Sequence, residues 1–386
     1  MVMTGRPSTP PPSPEPSPQG DDATSPTPVA ASGDRASSAA WRDRLEQLGL
    51  CVRDRLIAAR TAGRDMATPV AQEGGDTIFA IDRDVEAEMI HAIDDWPAAC
   101  RPLELIAEGL GESGRRTWGA AKSTQLHRDE SPRFRLLVDP IDGTRNIMYD
   151  KRAAWFIAAV TPGCREDGSA TTLHDAIAAV IVELPTSKQR YADAYGVARD
   201  SAVVIRRQEV ATGEVSSIDP ATVRPSQARD LRNGFAQVSN FFPGTKVLAA
   251  ELMERIVHAT LGDVQPGEAS VFDDQYITTA GQMVELMIGH DRFCCDLRPL
   301  FYDILSAGSS RQIRGLECHP YDVAGAMVAR QAGVLLTDGW GRPLDAPLDV
   351  HRGVHWCGYA NERLQDRIAP VISDWLTERG LRRQDD

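Results

Sequence analysis

Helix and strand patterns alternate along this chain of 386 residues, and the fold class they predict is α/β. Three observations carry that reading. Leu45, Leu48, Val52, Leu56 and Ala59 recur at helical spacing between Trp41 and Ala62, as an amphipathic helix requires. Apolar residues from Leu136 to Val138 form a short run that Pro140 and Gly143 break, which reads as a buried strand. Val323, Met327 and Val328 trace a further helical face, with Asp322 in its first turn and Gly333 suited to its stop.

Composition narrows the function classes. Hydrophobic residues make up 42% and charged residues 25%, as in a globular protein with a large core or two lobes. The formal net charge of -13 excludes a nucleic-acid partner held by bulk electrostatics. An acidic chain can still bind an anionic phosphate, but only through a local metal cluster. Seven Cys without metal-ligand spacing point to free thiols in a reducing, cytoplasmic compartment, with the adjacent Cys294 and Cys295 packed in the core. No apolar run reaches the roughly 20 residues that cross a bilayer, and no secretion signal opens the chain, so no membrane is expected.

In order, residues 1–40 are Pro, Ser, Thr, Ala and Gly with little to bury, and read as a disordered tail. The first helix follows and Gly63 ends it. Gly74-Gly75-Asp76 leads toward a second helical pattern at Val85, Met89, Ile90 and Ile93, which Asp82 suits as a cap. Leu103 to Glu108 reads as a strand ending in a carboxylate before Gly109. The polar stretch from Gly111 to Arg133 reads as a connection or a flap. Strands are expected at 155–160, 176–184, 191–197 and 201–205, with His174-Asp175 as a loop pair. A strand at 235–238 and a helix at 247–257 follow, then a helix carrying Met283, Val284, Met287 and Ile288. A strand at 334–337, a turn at Gly339–Asp345, a strand near 355–357 and a helix from Asn361 to Leu376 complete the chain.

The chemistry concentrates in Asp139-Pro-Ile-Asp142-Gly-Thr144-Arg-Asn146. Two carboxylates three residues apart sit at a strand end, and Pro140 restrains the loop between them. Such a pair, with the Ile141 carbonyl beside it, suits Mg²⁺, which takes oxygen ligands and substrate phosphate. Gly143 and Thr144 offer N–H groups and a hydroxyl for a phosphate oxygen or an attacking water. Taken alone, an Asp-x-x-Asp pair fits a solvated turn or an ordinary helix cap better than a metal site.

The whole run resembles the signature of the inositol monophosphatase family, magnesium-dependent and lithium-sensitive sugar-phosphate phosphatases that include fructose bisphosphatases and bisphosphate nucleotidases. The resemblance covers residues 43–377 and is strong at the signature and around His319-Pro-Tyr-Asp322. It implies a layered αβαβα sandwich, not a Rossmann fold, with a metal-binding lobe at 41–200 and a second lobe at 201–386 completing the site. It further implies two or three Mg²⁺ ions held by Glu108, Asp139, Ile141, Asp142 and Asp322, with Asp76 near the weakest. Glu112 is the fallback for Glu108. Catalysis falls to Glu108, Thr144, Asp139 and Asp142, and phosphate binding to Gly143 and Thr144. Inhibition by Li⁺ and a homodimer are implied as well.

Departures from the family pattern are specific. Gly109 stands where a second Glu is customary, Tyr321 replaces a Trp, and Gly315 occupies the place of a Glu that grips sugar hydroxyls, with Glu317 out of register. Arg292, Arg298 and Arg311 are cations in the variable region before Asp322. The expected activity is hydrolysis of a small sugar, cyclitol or related metabolite phosphate. The rivals are bisphosphate nucleotidase or fructose-bisphosphatase-like activity, and a metal- and phosphate-binding homologue without turnover.

Overall fold

The computed structural model describes residues 37–63, 68–73, 76–111, 113–120 and 131–383, with the backbone alone for 69–78. The expected tail lies outside the described residues as far as residue 36, and so does Glu112. Helix α1 (Ser38–Thr61) therefore takes in the last three residues assigned to that tail. Ser37 caps it by accepting the Ala40 N–H, and Trp41, Leu45, Leu48, Val52, Leu56 and Ala59 form its buried stripe. An antiparallel pair, β1 (Pro69–Glu73) and β2 (Asp76–Phe79), leads into α2 (Ala80–Asp94).

The first large sheet contains β3 (Leu103–Ala107), β4 (Arg115–Trp118), β5 (Phe134–Asp142), β6 (Ala154–Pro162), β7 (Ala178–Leu184), β8 (Tyr191–Ala198), β9 (Val204–Glu209) and β10 (Val215–Ile218). Its order is β10-β9-β8-β7-β6-β5-β3-β4, and a short helix α3 (Thr144–Met148) follows β5. The second sheet, of order β12-β11-β13-β15-β14, comprises β11 (Gly234–Val238), β12 (Val271–Phe272), β13 (Asp291–Asp296), β14 (Leu335–Thr337) and β15 (Trp356–Tyr359). Between and around these strands run α4 (Lys246–Leu261), α5 (Thr279–Met287), α6 (Arg298–Ala307), α7 (Ala326–Gln331) and α8 (Glu362–Glu378).

Period-two alternation sorts these strands into layers. In β6, Phe156, Ala158 and Val160 pack with α1 and α2, while Trp155, Ile157 and Ala159 pack with α5 and α7. In β13, Cys294 turns to that same middle layer, and Phe293 and Cys295 turn to the outer layer of α4, α6 and α8. The result is helix, sheet, helix, sheet, helix: the αβαβα sandwich expected. The adjacent cysteines are core residues on opposite faces of one strand, and all seven cysteines are free thiols. Among the described residues no helix is long and apolar enough to cross a membrane.

Four details differ from the sequence reading. β4 and β10 are edge strands whose residues are mostly exposed, so backbone pairing rather than apolar alternation defines them. Pro140 does not end β5. The neighbouring β3 stops opposite Val138, so no ladder bond is asked of Pro140 on that side, and a bulge carries the strand to Asp142. The helix expected from Asp322 begins only at Ala326, because residues 322–324 bond three residues back in successive tight turns. The change of sheet falls between Ile218 and Gly234, and a division at residue 200 would separate the paired strands β8 and β9.

At Gly49, α1 packs directly against β6 and β7. A methyl there would sit 2.6 Å from Phe156 Cδ1 and 2.7 Å from Val182 Cγ2. Helix propensity alone favours Ala over Gly by about 1 kcal/mol, but overpacking a core costs about 1–3 kcal/mol and wins here. Gly49→Ala should therefore lower the urea midpoint with an unchanged m-value. A raised midpoint would show that the helix has room to move off the sheet.

Candidate active site

Register builds the site. β3 and β5 run parallel with Ala107 opposite Val138, so Glu108 leaves the sheet beside Asp139. The bulge in β5 then brings Asp142 to the same cleft, which the turns at 277–279 and 319–322 close from the far side. Asp139, Asp142 and Asp322 each present an oxygen within 4.8 Å of the others.

Each carboxylate is held from behind. Asp139 Oδ1 accepts the Ile141 N–H at 3.0 Å, and Asp322 Oδ2 accepts the His319 N–H at 2.5 Å. Asp142 Oδ2 accepts the Thr278 hydroxyl at 2.5 Å and the Ala280 N–H at 2.7 Å. Burial is the largest cause of a raised pKa in all three. The charges of Asp142, Asp322 and Glu108 add to it at Asp139, which stands well above the usual carboxylate range. Asp142 is pushed up only to about 6, because its donors at 278 and 280 favour the ionised form. Three anions so placed ionise together only if a cation joins them. The group offers oxygen alone, with neither His nor Cys, which suits a hard divalent ion.

Beside the acids, the Thr144 hydroxyl lies 3.0 Å from the Ile141 carbonyl and 3.4 Å from Asp82 Oδ1. Gly143 adopts φ 92°, and a side chain there would meet the Ile277 carbonyl at 3.0 Å, so only glycine fits. Thr144 opens α3, whose first N–H groups have no intrahelical acceptor. Glu108, Gly143 and Ile141 line the same cleft. Asp76 begins β2, and its side chain lies outside the described residues.

Asp82 is the residue the sequence reading left as a helix cap. It is one: its Oδ2 accepts the Phe79 N–H at 2.8 Å. Its other oxygen reaches Thr144, so one carboxylate serves both the helix and the site. Glu86, one turn on, has its Oε2 3.4 Å from the point where a Gly109 side chain would begin. An acid from α2 thus stands where the customary second Glu is missing. The spacing of Asp82 and Glu86, four residues apart on one helix face, was the available signal. Thr278 and the adjacent Phe241 and Phe242 in the cleft wall carried no sequence signal of their own.

The remaining candidates fall into place. Arg298 lines the cleft but is bound by Asp296 through both carboxylate oxygens and by the Leu316 carbonyl. Arg292 is spent on the carbonyls of Asp230 and Arg232, and Arg311 is exposed. Glu317 lines the cleft, whereas Gly315 packs against Tyr302. Burial, with the Arg298 charge, pushes His319 down to about 4, so it is neutral at physiological pH, and its Nδ1 shares a hydrogen bond with the Tyr321 hydroxyl at 3.1 Å. His174-Asp175 is structural, with Asp175 paired to Arg165.

No family model matches the chain, and no curated protein matches it either. Solved structures do. Fructose-1,6-bisphosphatase of Leishmania major aligns with a TM-score of 0.60 and 14% identity over 86% of this chain and 93% of its own. The extragenic suppressor protein SuhB of Bartonella henselae gives 0.55 and 16% over 86% and 98%. An IMPase of Thermotoga maritima gives 0.52 and 14% over 88% and 98%. At such identities the likeness defines the fold, and that fold is the one these three structures share.

The charge argument predicts a pH dependence. An unfolded Asp ionises near pH 3.9, and Asp142 in the fold near 6. Between those values the folded form binds the extra protons, so the chelator-treated protein should lose stability as pH rises through this window. Thermal melting in chelator should give a lower Tm at pH 8 than at pH 5, and a divalent cation at pH 8 should reverse the loss. A flat profile, insensitive to cation, would contradict the clustering of charge.

Proposed function

We propose that this protein is a Mg²⁺-dependent phosphomonoesterase acting on a small sugar, cyclitol or related metabolite phosphate. One observation carries the reading: an oxygen-only acid cluster faces a cleft in which a threonine hydroxyl is held against a separate carboxylate. The names of the structural neighbours, fructose bisphosphatase and IMPase, agree with it.

Asp139, Asp142, Asp322 and Glu108 would hold the ions, with the Ile141 carbonyl as an added oxygen. Bound Mg²⁺ supplies Lewis-acid stabilisation of the phosphoryl oxygens and a lowered pKa for a bound water. The protein's own groups do the rest. The Thr144 hydroxyl, within reach of both the Ile141 carbonyl and Asp82, would turn its one proton to Asp82, accept the proton of the attacking water and pass its own to the carboxylate. Glu108 orients that water from the end of β3. Gly143 and Thr144 N–H groups receive phosphate oxygens at the open start of α3, and the crowding at Gly143 fixes their direction. The clamp of Thr278 and Ala280 keeps Asp142 ionised and aimed.

The test is phosphate release from inositol 1-phosphate, fructose 1,6-bisphosphate and adenosine 3′,5′-bisphosphate, with Mg²⁺ or chelator. Turnover should need Mg²⁺ and vanish in Asp139→Asn. Thr144→Ala and Asp82→Asn should each lower kcat by about 10²–10⁴-fold with little change in KM, the range expected for a proton-transfer pair. A folded, Mg²⁺-binding protein that releases phosphate from none of the three would overturn the assignment to sugar and cyclitol phosphates.

A further inference from the structure

Phe241 and Phe242 follow β11 and belong to none of the three hydrophobic cores. Both line the cleft and both are partly exposed. The backbone before them is anchored: Ser239 N–H donates to the Cys295 carbonyl at 2.8 Å, and Asn240 N–H to Gln275 Oε1 at 2.9 Å. Their rings meet edge to face, with centroids 6.0 Å apart and planes at 81°. The Arg298 guanidinium lies 5.2 Å from each ring centroid, and the buried Asp296 holds it there. Two large aromatic side chains are therefore fixed in a corner that the fold itself does not fill.

That corner adjoins the acids, because Phe241, Phe242 and Arg298 line the same cleft as Asp139, Asp142 and Asp322. A phosphate ester seated on the cluster can thus place its alcohol portion against the rings. Arg298 spends its Nε hydrogen and one hydrogen on each Nη on Asp296 and the Leu316 carbonyl, and the buried Asp296 already balances its charge, so it is a weak counter-ion for a second phosphate.

Building on the phosphatase reading, we propose that the Phe241–Phe242 corner receives a flat aromatic ring on the leaving alcohol, and that the preferred substrates are monophosphates of nucleosides or aryl alcohols. Adenosine 5′-monophosphate and ribose 5-phosphate share phosphate and sugar and differ by the base; phenyl phosphate supplies the aryl arm. Binding is read by isothermal titration and turnover by phosphate release, both with Mg²⁺.

Adenosine 5′-monophosphate should bind roughly tenfold tighter than ribose 5-phosphate, the scale of one base stacked on aromatic rings. Phe241→Ala and Phe242→Ala should erase that advantage while leaving ribose 5-phosphate unchanged, and Phe242→Tyr should keep it. Phenyl phosphate sharing the same dependence would assign aryl esters, and its failure beside tight nucleotide binding would assign nucleosides. Equal affinity for the matched pair in the native protein, or Ala variants that weaken both compounds alike, would overturn the proposal. Base-dependent binding without phosphate release would keep the aromatic corner and remove hydrolysis. Release without base preference would do the reverse.

Discussion

Three carboxylates with oxygens inside 4.8 Å of one another repel, and burial strengthens the repulsion because little water is present to screen it. Such a cluster survives folding only if the surrounding frame overrides it. The frame is the pairing of β3 with β5, the bulge in β5, and backbone N–H donors at Ile141 in that bulge, Ala280 at the start of α5 and His319. Each donor is backbone, apart from the Thr278 hydroxyl, so the geometry is written into the chain path rather than into adjustable side chains. The flanking hydrophobic layers keep that path rigid, since β5 and β6 contribute one face to each of two cores.

The arrangement also divides labour between two kinds of carboxylate. Asp139, Asp142 and Asp322 crowd together and require a cation, whereas Asp82 stands apart with a helix N–H on one oxygen and a hydroxyl on the other. Proximity to Thr144 links the two groups without merging them. A site that must hold positive charge and also take up a proton needs this separation, because a carboxylate engaged by a divalent cation is a poor base.

Much of this was legible in the sequence for local reasons. The run from Leu136 to Asn146 combines an apolar strand, a torsion-restraining proline and a glycine in eleven residues, and the structure uses nearly all of them in place. Helices α1 and α8 announced themselves through apolar periodicity, because each buries one stripe, and α5 did so although it is buried on nearly every side. What escaped was non-local or doubly employed. Thr278 holds Asp142 across 136 residues of chain, which no spacing rule exposes. Asp82 satisfies the definition of a cap so well that its second oxygen had no claim on attention. Phe241 and Phe242 lie in an irregular connection, where two aromatics resemble ordinary core until the cores are seen to exclude them.

The residues that meet in the cleft are drawn from positions as far apart as Asp82 and Asp322. The last carboxylate arrives after α6, in a turn that must dock against a sheet formed much earlier in the chain. During synthesis the acids of β5 emerge long before Thr278 and Asp322, so they first stand apart and in water, where they repel weakly and hold an ion poorly. The full coordination set exists only once both sheets have joined. Capture of a cation there would therefore report completion of the fold, and the bound ion would act as a latch that drains the population of half-assembled chains.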